Sequence, residues 1–427
     1  MKYYSTRRQT PEVSFEEAVI TGLPADNGLY MPERIPQLEK EFIRQLPAKS
    51  LHEIAFTVAE PFVGNTISRK DLQKIIEDTL SFKIPLVNVY DHIYSLELFH
   101  GPTMAFKDVG ARFLARCLSY FSQEKVTVIV ATSGDTGSAV AHGFLGIDQV
   151  DVVILYPAGK VSALQEKQFT TLGQNITAIE IDGTFDDCQH LVKTAFLDPV
   201  LKNQARLTSA NSINIARLLP QSFYYFWAWS QLPERQKVYF SVPSGNYGNL
   251  MAGLLAKKMG LPVTGFIAAS NINDVVPQYL TSGSFEPKPS IQTISNAMDV
   301  GNPSNFNRIT ALYNNDHAEI TRDIAGYSYT DDETKKALKS VFDTYGYVMD
   351  PHGAVGYLGL TEHLATKKGA IGIFLETAHP AKFKETADDI VGDVTIPAQL
   401  AKYLSKEKKA IKMKNDFDSL KAFLLAD

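Results

Sequence analysis

Lys107 stands in Met104-Ala-Phe-Lys-Asp-Val109, an apolar frame for an ammonium group. Poor solvation disfavours the charged form and raises the share of free amine able to attack a carbonyl. Alone, such a lysine is more commonly one that snorkels from a helix start or pairs with its neighbour Asp108. Two glycine-rich turns change the weighing. Thr132-Ser-Gly-Asp-Thr-Gly137 and Pro243-Ser-Gly-Asn-Tyr-Gly248 each fall where an apolar run ends and a helical pattern begins. At Gly245 and Gly248 the missing Cβ lets an anion reach the backbone, where the free N–H groups of a helix start point at it. Neither turn carries a lysine, so backbone dipoles and hydroxyls must hold the anion.

One such turn is an ordinary strand-to-helix connection. Two in tandem, with a nucleophilic lysine, meet the needs of a pyridoxal-phosphate enzyme: an amine for the aldehyde, a phosphate anchor and a seat for an amino-acid carboxylate. Competing chemistries lack their signatures. There is no G-x-x-x-x-G-K-[ST], no G-x-G-x-x-G after a strand and no G-x-S-x-G elbow, and His52-Glu53 continues as Ile-Ala-Phe rather than toward a second histidine. No metal site is expected.

The elements that must position these residues alternate. Val126–Val130 reads as a strand buried on both faces, and Val152–Leu155 and Ile176–Ile181 follow as strands. Between them, helical stretches begin at Ser138, at the Ser162/Gln165 capping pair and at Thr184. After a long amphipathic helix expected over Ile213–Ser230, a second set follows: strand Val238–Val242, helix Gly248–Met259 and strand Val263–Ala268. Residues 281–307 read as loops; Asp331–Phe342 and Gly353–Leu364 as helices; Ile371–Leu375 as a late strand; the last thirty or so residues as terminal helices. The first ninety, with Leu72–Phe82, form a more helical lobe. Short strand–helix–strand connections dictate parallel sheets with right-handed crossovers. Two parallel-sheet units imply a cleft beyond the strand C-termini for a ligand. The expected division is 1–95, 96–230 and 231–427.

Composition agrees with a small-molecule protein. The chain has 427 residues, 44% hydrophobic and 21% charged, with a formal net charge of −5. That balance gives no footprint for nucleic acid or an anionic membrane. Cys117 and Cys188 are too few for a disulfide scaffold or a cysteine-based zinc site and suit a reducing compartment. Arg7-Arg8 lacks an apolar stretch behind it, and the aromatic run Phe223–Trp229 is too short to span a bilayer. A cytoplasmic protein is expected.

The run His100-Gly-Pro-Thr-Met-Ala-Phe-Lys-Asp108, the two glycine turns and Glu376-Thr-Ala-His-Pro-Ala-Lys-Phe383 together resemble threonine synthase of the longer bacterial and fungal type. Tyr4-Ser-Thr-Arg7, Asp26-Asn-Gly-Leu-Tyr-Met-Pro32 and Ser295-Asn-Ala-Met-Asp-Val300 fit the same family. The resemblance runs in order from near the N-terminus to about Phe383. It implies a fold-type-II pyridoxal-phosphate architecture, like the tryptophan synthase β subunit, with an added helical lobe. The implied reaction turns O-phospho-L-homoserine and water into L-threonine and phosphate by γ-elimination and addition of water at Cβ. Lys107 then corresponds to the Schiff-base lysine; Ser244, Gly245, Asn246, Tyr247 and Gly248 to the cofactor-phosphate cup; and Thr377 to the hydroxyl partner of the pyridine nitrogen. Thr132, Ser133, Gly134, Asp135 and Thr136 correspond to the loop that grips the substrate carboxylate and touches the cofactor's phenolic oxygen. Many fold-type-II members carry asparagine where this chain has Asp135. An ionised Asp135 would repel a phenolate and a carboxylate alike, so it is either protonated or turned to the substrate amine or a backbone N–H.

The substrate phosphate needs its own cations. Lys160 and Arg217 are the candidates, with Asn211, Ser212 and Asn214 as added hydrogen-bond donors. Arg217 is equally able to serve on a solvated helix face. His100 and His379 read as wall residues, and the two cysteines as inert. A threonine or serine dehydratase, or a non-catalytic relative that binds a phosphorylated metabolite, are the alternative functions. Monomer and homodimer both fit.

Overall fold

The computed structural model describes residues 1–122 and 124–426. Two sheets organise it. The larger has six strands in the order Ile324–Ser328, Gly265–Ser270, Val238–Pro243, Ile371–Glu376, Ile93–Glu97, Leu86–Tyr90. All pairs are parallel except the last. The smaller has five parallel strands in the order Ile411–Lys414, Ile176–Asp182, Val150–Pro157, Val126–Ala131, Leu207–Ser209. Every residue of Gly265–Ser270 and Ile371–Glu376 is buried, as parallel strands covered on both faces require. The helix Pro351–Leu364 covers the larger sheet closely because it brings Gly356 and Gly359 to the contact. A Cβ at those positions would lie 3.2 Å from Pro243 and 3.1 Å from Ile267.

The N-terminal lobe buttresses the helix that Lys107 opens. Ser50 and Glu53 form a capping box on Leu51–Val63, and Ser68 caps Arg69–Thr79. The second of these ends against the lysine helix, where Arg112 Nε donates to Thr79 O at 3.1 Å and satisfies a helix-end carbonyl.

Three expectations need correction. Ile213–Ser230 is not one helix: it divides into Ile215–Leu218, the 3-10 turn Leu219–Ser222 and Phe223–Gln231. Pro220 supplies no N–H to a continuing helix, and most of the segment is buried rather than amphipathic. The chain's end is not purely helical, since Ile411–Lys414 adds an edge strand to the smaller sheet and Phe417–Leu425 packs on Phe185–Leu197. The boundaries at 96 and 231 also do not follow the sheets. Ile93–Glu97 belongs to the larger sheet although it precedes the smaller one, and the C-terminal segment returns to the smaller one. Strand pairing between distant segments decides both.

Candidate active site

Beyond the C-terminal end of Ile371–Glu376, the chain pairs with the segment that leads into Lys107. Ala105 and Ala378 form an antiparallel bridge. Phe106 N–H donates to Thr377 O at 2.8 Å and His379 N–H to Met104 O at 3.1 Å. Met104 takes φ 56°, a left-handed conformation that this tight strap imposes. The strap fixes Lys107, first residue of the helix Lys107–Phe121, next to the Thr377 strand end.

Lys107 remains partly accessible, but protein encloses its amine on most sides. Asp108 is not its partner: that carboxylate accepts from Thr103 N–H at 2.9 Å and Thr103 Oγ1 at 2.7 Å. Burial holds the Lys107 amine down to about 8; Asp135 opposes this, while Arg217 and Lys382 reinforce it. Thr377 is 6% exposed, and its hydroxyl enters no hydrogen bond among the described residues.

The second glycine turn follows Val238–Pro243. Ser244 commits its N–H to Ala269 O and its hydroxyl to Val242 O at 2.9 Å. The N–H groups of Gly245, Asn246, Tyr247 and Gly248 find no acceptor among the described residues, and Gly248 opens an 11-residue helix. Tyr247 sits at φ 60°, which turns the chain, and its hydroxyl is within 2.6 Å of Ser270 Oγ. Asn246 is locked between Ser212 Oγ at 2.6 Å and Ser304 N–H at 2.6 Å. A Cβ on Gly245 would lie 2.6 Å from Ala297 O and 2.8 Å from Met298 Cα. The cup is therefore a cradle of free N–H groups closed on one side by the 295–300 loop.

The first turn follows Val126–Ala131. Thr132 is an organiser of the turn: its Oγ1 accepts from Gly134 N–H at 2.9 Å and Gly137 N–H at 2.7 Å. That leaves the N–H groups of Ser133, Asp135 and Thr136 without an acceptor among the described residues. Asp135 is neither protonated nor turned to a backbone N–H. Its Oδ1 lies 2.5 Å from Lys382 Nζ and 2.8 Å from Gln165 Nε2. Burial pushes this carboxyl upward, but Lys382 and Lys107 outweigh it and hold the group well below the usual carboxylate range.

The phosphate candidates separate. Arg217 is 3% exposed and lies against the lysine helix: a Cβ on Gly110, one turn beyond Lys107, would be 3.1 Å from its Nε. Its Nη1 donates to Ala210 O, while its Nε is buried without a partner. Burial lowers the guanidinium to about 10, which leaves it charged at neutral pH. The Oδ1 of Asn211 is likewise buried and unpartnered. Ser212 accepts from Asn246 at the rim of the second turn. Two residues fall outside the cluster. Lys160 is exposed beyond Val150–Pro157, near Asp187 rather than Lys107. Asn214 is a helix cap, its Oδ1 taken by Ala216 N–H and its Nδ2 by Val19 O and Ser209 O.

Sequence reasoning assigned no role to Lys382 or Arg308, and read Gln165 only as the capping partner of Ser162. Arg308 is fully buried and ties Ser212 O and Ile213 O to Tyr30 O and Asn305. It shapes the segment that carries Asn211 and Ser212. The one available signal for Lys382 was the demand for a cation that an acidic residue in an anion-binding turn creates.

A buried amine, a cradle of free N–H groups that a Cβ would fill, an orphaned guanidinium nitrogen and an unbonded hydroxyl fit pyridoxal phosphate and an anionic amino acid. Fold and site together define a pyridoxal-phosphate-dependent enzyme, and residues 87–373 match the family model described as pyridoxal-phosphate dependent enzyme. Residues 2–80 match the model for the threonine synthase N terminus and 353–424 that for its C-terminal part. The chain belongs to the threonine synthase family, whose members are pyridoxal-phosphate-dependent lyases.

The threonine synthase of Haemophilus influenzae is 46% identical over 429 residues, covering 100% of both chains. The crystal structure of the Escherichia coli threonine synthase superposes with a TM-score of 0.94 at 43% identity, covering 100% of this chain and 99% of that one. A threonine synthase from Brucella melitensis, solved with the cofactor bound, gives 0.93 at 37% identity over the same shares.

Proposed function

We propose that the substrate is O-phospho-L-homoserine, converted with water to L-threonine and phosphate in the cytoplasm by a monomer or homodimer. The observation that carries this reading is the placement of Arg217. It puts a buried, charged guanidinium with a free Nε one helical turn from the lysine that the Thr377 strap positions. A dehydratase acting on a hydroxy amino acid has no phosphate to hold there.

When bound, pyridoxal phosphate supplies the electron sink that acidifies the C–H bonds of the amino acid. The protein supplies the rest. The N–H groups of Gly245 to Gly248 hold the cofactor phosphate, with Asn246 and Tyr247 fixing the turn. Thr377 would offer its hydroxyl to the pyridine nitrogen, and a hydroxyl there would hold that nitrogen protonated less strongly than a carboxylate would. Ser133, Asp135 and Thr136 N–H groups seat the substrate carboxylate. The Lys107 amine, near 8 and without a carboxylate partner among the described residues, is poised to take the Cα proton and return it further along the chain. Arg217, and Asn211 through its Nδ2, hold the departing phosphate.

Incubation of the purified holoprotein with phosphohomoserine is expected to release phosphate and threonine in equal amounts. Ammonia and a 2-oxo acid without phosphate would assign the dehydratase instead, and no turnover with tight binding the non-catalytic relative.

The cradle gives a second test. Gly245→Ala must displace the 297–298 backbone, an overpacking of about 1–3 kcal/mol, so cofactor affinity is expected to fall roughly 5- to 150-fold. Fluorescence titration of the apoprotein with cofactor measures this. Undiminished affinity would remove Gly245 from the phosphate cup.

A further inference from the structure

Lys382 joins the three segments of the site. It stands in the 3-10 turn Pro380–Phe383, just past Thr377. Its Nζ lies 2.5 Å from Asp135 Oδ1 in the first glycine turn and donates to Thr103 O at 2.9 Å, in the stretch leading to Lys107. Its side chain is 0% exposed and that of Asp135 5%. So deeply buried an ion pair contributes little stability beyond an apolar filling, because desolvation offsets attraction. Its position is the informative feature. Among the described residues, the Asp135 carboxylate raises the Lys107 amine, while Arg217 and Lys382 lower it. Gln165 satisfies only part of the carboxylate. Deprived of Lys382, a desolvated Asp135 would take Lys107 as its partner and hold it as an ammonium ion, unable to attack an aldehyde.

We propose that Lys382 is a positioning residue that keeps the Asp135 carboxylate engaged away from Lys107, leaving the Lys107 nitrogen free for the cofactor and the turn's N–H groups free for a substrate carboxylate. This inference rests on the reading of Lys107 as the cofactor-bearing lysine. It also accounts for an acidic residue in a turn that must receive an anion: the pair presents no net negative charge.

The test is a pH titration of the visible absorption of the holoenzyme, whose chromophore includes the Lys107 nitrogen. The charged groups facing that nitrogen are Asp135 from the first turn, Arg217 from the helix Ile215–Leu218 and Lys382. Lys382→Met is expected to raise the titration midpoint by about one unit or more, roughly a tenfold change in the ratio of the two forms at fixed pH. Adding Asp135→Asn is expected to bring the midpoint back toward the wild-type value, and Lys382→Arg to leave it in place. Lys382→Gln, which keeps donors for Thr103 and Asp135 without charge, gives the same shift if the methionine variant does not fold. An unmoved midpoint, or a shift that Asp135→Asn fails to reverse, overturns the proposal. Borohydride trapping of the wild-type holoenzyme keeps the two ideas apart. Cofactor fixed to another lysine sinks the Lys107 reading, whereas cofactor fixed to Lys107 with an unmoved midpoint sinks only the role of Lys382.

Discussion

Lys107→Ala is expected to yield a folded protein that no longer fixes the cofactor under borohydride and has lost at least about a thousandfold in turnover. Both halves of that expectation follow from the surroundings of the amine. It makes no ion pair among the described residues, and its sequence neighbour Asp108 is satisfied by Thr103. Its removal therefore strands no partner and relieves a desolvated group, so the melting temperature should hold or rise. The chemical loss is of a different order, because among the described residues no other lysine shares its strap: Lys382 is held by Asp135 and Thr103 O. Mass spectrometry after reduction gives the decisive readout. A reduced adduct on any lysine other than 107 in the wild-type protein would refute the assignment.

Arg217→Met keeps the volume of the side chain and removes its charge. The expected result is a rise of roughly 10- to 150-fold in KM for phosphohomoserine, corresponding to a charge-assisted contact of about 1.5–3 kcal/mol. Binding of L-threonine, which carries no phosphate, should change far less, and the comparison separates phosphate recognition from general damage to the cleft. Some stability is lost as well, since Nη1 no longer donates to Ala210 O. If both ligands weaken equally, Arg217 is a structural residue packed against the lysine helix and the phosphate is held elsewhere.

The parts of this molecule that could be read from the sequence are those in which neighbouring residues carry the information. Val126–Ala131 and Ile371–Glu376 announce themselves as continuous apolar runs because both faces are covered. The second glycine turn is legible because a strand, a turn and a helix start occupy adjacent positions. Failures come where a distant segment decides. Ile411–Lys414 has alternating lysines and exposed edges, and only pairing with Ile179–Asp182 makes it a strand. Asn214 shares a motif with Arg217, yet Ala216 N–H, Val19 O and Ser209 O consume its amide, leaving no capacity for a ligand. Lys160 follows a strand end as a ligand residue should, but the turn directs it to solvent near Asp187. Asp135 presented a charge problem whose solution, Lys382, comes from a different lobe. The sequence shows that a cation is required and gives no local sign of which one.

The route of the chain through its sheets bears on how the protein is made. Ile93–Glu97 leaves the ribosome early but must wait for Ile371–Glu376, its parallel neighbour, before its larger sheet is continuous. The smaller sheet, synthesised in between, acquires its border strand only when Ile411–Lys414 emerges. The two halves are therefore completed in turn, the larger sheet with Ile371–Glu376 and the smaller with Ile411–Lys414, each long after its first strand is made. Nascent chains halted before residue 411 would carry Ile176–Asp182 as a bare border, open to pairing with another polypeptide.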